Sequence, residues 1–260
     1  MVTGKNRMNE PRTSSLPETL KERVKTLSTL YASCTHPLTV ALDTFSLALL
    51  PRKEEHAEWQ DRGFLPFTPH ELAWLVAARE QLQDTVDLGL VLRAKAVLPP
   101  QAELGGVLLA PEHCGEPYFH NNGQPVIVVC GHPQPPTGRN PACVLTPEEV
   151  TALFEAPAGT GEALCAIRSA LPGATLVRVT SEDGSRGDIL FTWRDLSVIF
   201  CPHGSHEGQH ASTVASLFAE QPPIFITSHT LGQLTPLHDR DKETALTVLR
   251  VFPGATLFPA

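Results

Sequence analysis

The 260-residue chain lacks the features that mark several large classes of protein. It has no stretch of about 18 uninterrupted apolar residues, so the sequence predicts no transmembrane helix and no membrane partner. Residues 1–15 are polar and lack the apolar core of a secretory signal, so we expect a cytoplasmic protein. The 20 Lys and Arg are scattered along a chain of net charge −8, which argues against nucleic acid as a partner.

Cysteine, proline and glycine are also present at modest levels. Six cysteines are too few for a disulfide scaffold in a chain of this length, and we interpret them as reduced thiols. The 24 Pro and 18 Gly make up about 16% of the residues, below the roughly 25–30% typical of low-complexity chains. Since 42% of the residues are hydrophobic, the composition is that of a globular protein with a sizeable core.

Three common catalytic and phosphate-binding signatures are missing. The chain contains no G-x-S-x-G, no G-x-x-x-x-G-K-[ST] and no G-x-G-x-x-G sequence. The sequence therefore gives no motif for a serine hydrolase or for a nucleotide-binding loop.

Helical patterns dominate the first third of the chain. An S-x-x-E pair, Ser15 and Glu18, precedes apolar residues at helical spacing and predicts the start of a helix. The apolar run 38–50, which ends at Pro51, predicts a second, buried helix. The Thr-Pro-x-Glu sequence that begins at Thr68 predicts a third helix with a complete capping box.

Shorter apolar runs follow and predict strands at 86–92, 107–109 and 126–129. Residues 133–141 form the densest cluster of structure-breaking residues in the chain, so we expect a proline-rich loop or linker over 133–145. The predicted organisation is a flexible tail (1–15), an α-rich N-terminal portion with a few strands (16–132), this loop (133–145) and a C-terminal α+β portion (146–260).

The C-terminal portion is predicted to contain an antiparallel meander. A second Thr-Pro-x-Glu sequence, at Thr146, predicts a helix start, and the Arg194-Asp195 pair predicts a tight turn between two strands. The predicted strands are 175–180, 188–193, 196–201, 223–228 and 255–258, and the further helices are 162–171, 212–220 and 239–252. The expected fold class is α+β, with a helical N-terminal part followed by a mainly antiparallel sheet that has helices packed on one face.

One segment has the spacing of a catalytic zinc motif. In the sequence HEGQH, His206 and His210 are four residues apart, so on a helix both imidazoles could bind Zn²⁺ while Glu207 activates a water molecule. Two glycines in this region weaken a helix, and a polar loop between a strand and a helix is the alternative interpretation. The candidates for a third ligand are Glu220, His229 and His238.

Three of the six cysteines are followed two positions later by a histidine, whereas about 0.25 such pairs are expected by chance. The three pairs are Cys34 and His36, Cys130 and His132, and Cys201 and His203. Because residues i and i+2 of a strand point the same way, Cys130, His132, Cys201 and His203 could together form a tetrahedral structural metal site. Alternatively, Cys130 or Cys201 is a nucleophile, or each is a buried thiol followed by a solvent-facing histidine.

These observations favour a non-catalytic interaction module that binds a protein partner, and the net charge of −8 favours a basic one. This function needs no cofactor and requires an apolar patch on the surface. The first alternative is a zinc-dependent hydrolase that uses His206, Glu207 and His210. The second is a binding protein with a structural zinc site made from the Cys and His pairs.

Overall fold

The computed structural model describes residues 18–42, 44–82, 85–108, 115–121, 124–128, 143–180, 187–202, 223–252 and 255. These residues form eight α-helices and eleven strands, and the strands make three small, mostly antiparallel sheets. The mixed α+β class predicted from the sequence is therefore confirmed. The chain divides into two compact units, one of residues 1–92 and 100–132 and the other of residues 93–99 and 133–260.

The first unit contains two groups of paired strands and a pair of long helices. Strand β1 pairs antiparallel with β2, which pairs parallel with β3, and β5 pairs antiparallel with both β4 and β6. Helix α1 packs along α3. The elements are α1 (Glu18–Ala32), β1 (Leu38–Leu42), β2 (Phe45–Leu49), a 3-10 turn (Lys53–Glu55), α2 (His56–Asp61), β3 (Leu65–Phe67), α3 (Pro69–Gln81), α4 (Leu88–Val97, which continues into the second unit), β4 (Glu103–Leu108), β5 (Glu116–Asn121) and β6 (Gln124–Val128).

The second unit contains the predicted meander, whose three strands begin and end at the predicted residues. Arg194 and Asp195 both have positive φ angles, of 46° and 64°, as a tight turn of the hairpin type requires. The final strand of this sheet, β11, runs parallel to β10. The elements are β7 (Cys143–Leu145), α5 (Pro147–Phe154), α6 (Thr160–Ala170), β8 (Thr175–Thr180), β9 (Asp188–Trp193), β10 (Leu196–Cys201), β11 (Ile224–Thr227), α7 (Ser228–Leu234) and α8 (Asp239–Val251).

Two predicted elements are wrong. The run 38–50 forms the β1–β2 hairpin and not a helix, because large and small side chains alternate along it with the period of a strand. Within the run 86–92, residues 88–92 belong to helix α4 and not to a strand. There the Asp87 carboxylate accepts a hydrogen bond from the amide of Leu90 (3.0 Å) and caps the helix, a signal that outweighs the short apolar run.

Smaller differences occur at the ends of other predicted elements. Residues 143–145, the end of the predicted loop, form strand β7. Helix α7 was not predicted from the sequence. Thr227 caps this helix by accepting a hydrogen bond from the amide of Thr230. The predicted tail 1–15, the helix 212–220 and most of the strand 255–258 lie outside the described residues.

A buried carboxylate joins α3 to β4. Glu71 is 1% exposed, and it forms the predicted capping box by accepting a hydrogen bond from the amide of Thr68 (2.8 Å) while its own amide donates to Thr68 Oγ1 (3.2 Å). Its second oxygen, Oε1, accepts a hydrogen bond from the amide of Leu104 in β4 (2.7 Å). The sequence indicates the capping box, but the bond to β4 comes only from the tertiary structure.

The second unit is centred on a buried ion pair. Arg168 in α6 donates two hydrogen bonds to the carboxylate of Glu149 in α5 (2.6 and 2.9 Å), and both side chains are close to 90% buried. The same guanidinium donates to the carbonyl oxygens of Val144 and Ala174. Arg168 therefore links β7, α5 and the entry to β8, and its donors satisfy carbonyls that the fold removes from water.

We expect Glu71→Gln to lower the free energy of unfolding by about 2 kcal/mol, measured by urea denaturation. The amide group of glutamine has one acceptor oxygen, so it would place an N–H against one of the two amides that Glu71 now serves. The control is Glu80→Gln on the same helix, where the carboxylate is exposed and a much smaller loss than for Glu71→Gln is expected. Equal losses in the two variants would contradict this role of Glu71.

Candidate binding site

An apolar groove with a volume of about 420 Å³ lies in the first unit. It is lined by α1, the sheet β1–β2–β3, α3 and the start of α4, and eleven of its fourteen lining residues are aliphatic or phenylalanine. A concave apolar site of this size is within the roughly 300–1,000 Å³ range of ligand-binding pockets. The groove is therefore the candidate functional site of this unit.

Every second side chain of strand β1 contributes to the floor of the groove. Leu38, Val40 and Leu42 occupy alternate positions of β1 and so lie on one face of the sheet. Their partners across the hairpin include Leu49, opposite Leu38, and Leu47, opposite Val40. This face of the hairpin is therefore a continuous aliphatic surface.

The opposite wall comes mainly from α3. Leu72, Leu75 and Val76 have the i, i+3, i+4 spacing of one helix face and all line the groove. Leu88 and Leu92, one turn apart on α4, extend this wall. The same residue types would form an ordinary core if another element covered the opening.

Among the described residues, strand β1 is at the edge of its sheet, and its residues 38–41 are exposed. Leu38 is 49% exposed and Val40 is 52% exposed, although both line the groove. The strand Leu38–Leu42 has no charged residue and no proline, the usual means by which proteins protect an edge strand. An unprotected apolar edge of this kind is typical of an interaction surface.

Three polar residues, Tyr31, Arg79 and Glu80, complete the groove. The guanidinium of Arg23 in α1 donates two hydrogen bonds of 2.8 Å to the Glu80 carboxylate, which lowers the pKa of that carboxyl. Arg79 forms no ion pair with a residue of the described ranges. These three side chains are the polar part of a lining that is otherwise apolar.

Most of the residues that the sequence predicts as a site lie outside the described residues. His206, Glu207 and His210 of the zinc motif do so, and so do Cys130, His132 and His203 of the Cys and His pairs. Of the candidates for a third zinc ligand, His229 and His238 are exposed, on α7 and at the start of α8. In the described parts of the chain, no three His, Cys, Asp or Glu residues are placed to hold a metal ion. Both metal sites stay predictions.

Of the four residues of the proposed Cys and His metal site, Cys201 alone lies in the described ranges. It ends β10 and is buried. Burial, with a smaller contribution from the charge of Asp188, raises the pKa of its thiol to about 12. The group is therefore protonated at neutral pH, and this does not favour its use as a nucleophile.

The comparisons with known proteins give no functional information. No protein-family model, no curated protein and no solved structure matches the chain. Among the described residues, no helix has the length and apolar character needed to cross a bilayer. The functional argument consequently depends on the residues of the groove.

Sequence analysis missed the groove, because the run 38–50 was assigned to a helix. One signal could have found it, namely the alternation of leucine or valine with smaller residues in Leu38–Leu42 and Phe45–Leu49. No sequence signal shows that this hairpin faces α3 across an open space.

We expect Cys201 in the folded protein to react with iodoacetamide at least about 100-fold more slowly at pH 8 than the partly exposed Cys34. A thiol of pKa about 12 is ionised in roughly one molecule in ten thousand at that pH, and burial further restricts the reagent. Peptide mass spectrometry over time gives both rates. In urea the two cysteines should react at similar rates, and rapid alkylation of Cys201 in the folded protein would contradict the assignment.

Proposed function

We propose that the protein is a non-catalytic binding module that holds an apolar segment of a protein partner in the groove of its first unit. The observation that carries the proposal is the exposed edge strand β1, which forms one wall of a 420 Å³ apolar groove. The interaction module expected from the sequence requires an apolar surface patch, and this groove provides one.

The geometry favours a partner segment in extended conformation. A strand added to the free edge of β1 would hydrogen-bond to its main chain, and alternate side chains of that strand would enter the groove beside Val40. Main-chain bonds give such complexes affinity, whereas the fit of the alternate side chains gives specificity. The proposed ligand therefore has large apolar residues at every second position.

The charge of the chain favours a basic partner. With a net charge of −8, the protein attracts cationic surfaces over long distances, and this increases the rate of association more than the final affinity. We therefore expect Lys and Arg next to the apolar positions of the ligand, and an association rate that falls as salt is added.

The proposal is tested by selecting short random peptides against the whole protein and measuring the affinity of the selected peptides by fluorescence polarisation. We expect alternating apolar residues with interspersed Lys or Arg. Val40→Asp should weaken binding about tenfold or more, because it places a charge in an apolar wall. N-methylation of alternate peptide amides should abolish binding, since it removes the donors that a strand needs.

The matched control is Val177→Asp on β8, which is the edge strand of the sheet in the second unit. Val177 is 53% exposed, almost the same as Val40 at 52%, but it does not line the groove. Affinity should be unchanged in this control. Peptides that bind Val40→Asp normally, or that tolerate N-methylation, would overturn the proposal.

Sedimentation analysis tests for a second copy of the chain in the groove. If the protein is a dimer and Val40→Asp dissociates it, a second copy occupies the groove instead of a partner segment.

Metal analysis separates this proposal from the zinc hydrolase predicted by the HEGQH segment. We expect protein purified without a histidine tag to contain no stoichiometric zinc that depends on His206 and His210, measured by elemental mass spectrometry. Zinc that is lost in His206→Ala/His210→Ala would favour the hydrolase. Zinc that is lost only in Cys130→Ala/Cys201→Ala would add a structural metal site and would leave the binding module in place.

A further inference from the structure

Two buried cysteines of the second unit face each other where strand β7 packs against helix α6. Cys143 is 7% exposed and Cys165 is 5% exposed, and their Sγ atoms are 3.5 Å apart. Both are free thiols in the structure. They are 22 positions apart in the sequence, so the fold and not a local motif brings them together.

Hydrogen bonds hold the strand and the helix that carry these two thiols in contact. Arg168, three residues after Cys165 on α6, donates to the carbonyl oxygen of Val144, the neighbour of Cys143 in β7. A disulfide has a sulfur–sulfur distance of about 2.05 Å, so the two sulfurs must approach by about 1.5 Å to form one. Rotation of the side chains between rotamers produces displacements of this size.

The surroundings favour ionisation of one of the two thiols. The hydrogen bond between the sulfurs lowers the pKa of the Cys143 thiol, and the charge of Arg168 lowers it further. Burial and the charge of Glu149 act in the opposite direction but are outweighed. The same hydrogen bond, with burial and the charge of Glu162, raises the pKa of Cys165. Cys143 is therefore the thiol that ionises first, and a thiolate is the nucleophilic form of cysteine.

Cys201 shows that burial alone does not produce such a thiol. It belongs to the same unit and is 6% exposed, much like the other two cysteines. Burial and the charge of Asp188 nevertheless raise its pKa to about 12. What distinguishes Cys143 is a second thiol and a guanidinium beside it.

We propose that Cys143 and Cys165 are a redox-sensitive pair that a small hydroperoxide oxidises to an intramolecular disulfide. The Cys143 thiolate attacks an oxygen of hydrogen peroxide, so a sulfur–oxygen bond forms, the oxygen–oxygen bond breaks and hydroxide leaves. Cys165 then attacks the sulfenic sulfur, and hydroxide leaves and takes up the proton of Cys165. In total the two thiols lose two electrons and two protons, and the peroxide becomes two water molecules.

The burial of the pair determines which oxidant it accepts. Hydrogen peroxide is little larger than water, whereas a bulky disulfide such as oxidised glutathione would have to reach sulfurs that the fold covers. The product would link β7 to α6 and close a loop that contains α5. The inference does not depend on the proposed function, because the groove belongs to the first unit and the two cysteines to the second.

The first test treats the reduced, folded protein with hydrogen peroxide at pH 7, blocks the remaining thiols with iodoacetamide and maps the peptides by mass spectrometry. No Lys or Arg lies between residues 140 and 167, so trypsin leaves both cysteines in one peptide, 140–168. This peptide should lose two hydrogen atoms, and cleavage after glutamate should then yield two linked fragments. Cys201 should be oxidised at least about tenfold more slowly than the pair.

Oxidised glutathione at the same concentration should form the disulfide at least about tenfold more slowly than peroxide does, because the sulfurs are buried. The proposal is overturned if peroxide leaves the peptide 140–168 unlinked, or if it joins Cys143 to a cysteine other than Cys165.

Two serine variants test the separate roles of the thiols. In Cys165→Ser the sulfenic acid on Cys143 has no second thiol to attack it, so it should persist and react with dimedone, a reagent for sulfenic acids. Cys143→Ser leaves the thiol of raised pKa and should take up at least about tenfold less dimedone. Circular dichroism verifies that both variants are folded. Equal labelling of the two variants would overturn the assignment of Cys143 as the attacking thiol.

Urea denaturation tests whether the disulfide fits the folded structure. The oxidised wild-type protein should unfold at a higher urea concentration than the reduced protein, since a link across 22 positions restricts the unfolded chain. Peroxide-treated Cys165→Ser is the control and should show no such shift. A lower midpoint in the oxidised wild-type protein would overturn the proposal, because the disulfide would then distort the contact between β7 and α6.

Discussion

The buried carboxylate of Glu71 is the interaction on which the placement of helix α3, and with it the apolar groove, depends. It closes the start of α3 and accepts the amide of Leu104 in β4, so the helix has a fixed position relative to that strand. A charge buried this deeply is stable only because hydrogen bonds satisfy it. One side of the helix, with Leu72, Leu75 and Val76, forms a wall of the apolar groove. The placement of α3 therefore determines the geometry of the groove.

Sequence patterns predicted those parts of the fold that local interactions decide. Both Thr-Pro-x-Glu sequences form capping boxes, and the meander between Thr175 and Cys201 has its predicted strands, because alternation and a tight turn suffice to define a hairpin. The apolar runs 38–50 and 86–92 were misassigned, since a short apolar run fits a buried strand or a buried helix equally well. There the outcome depended on alternation of side-chain size and on the Asp87 cap.

The candidate sites could not be predicted, because their residues are distant in sequence and ordinary in type. The groove takes side chains from six helices and strands between Tyr31 and Leu92, and leucine at such positions indicates a core as readily as a binding surface. Spacing motifs directed attention to Cys201, but desolvation raises its pKa and keeps it a thiol at neutral pH.

Two of the helices that line the groove are linked to each other, and this determines how a bound segment should affect them. Helix α1 packs along α3, and Arg23 and Glu80 link the two helices by a pair of hydrogen bonds. Tyr31 of α1 and Leu72 of α3 both line the groove, so a segment bound there would contact the two helices together. Allosteric coupling would require two arrangements of these helices with different affinities. With a single arrangement, a bound segment would stabilise the α1–α3 pair by mass action, without a change in the shape of the groove.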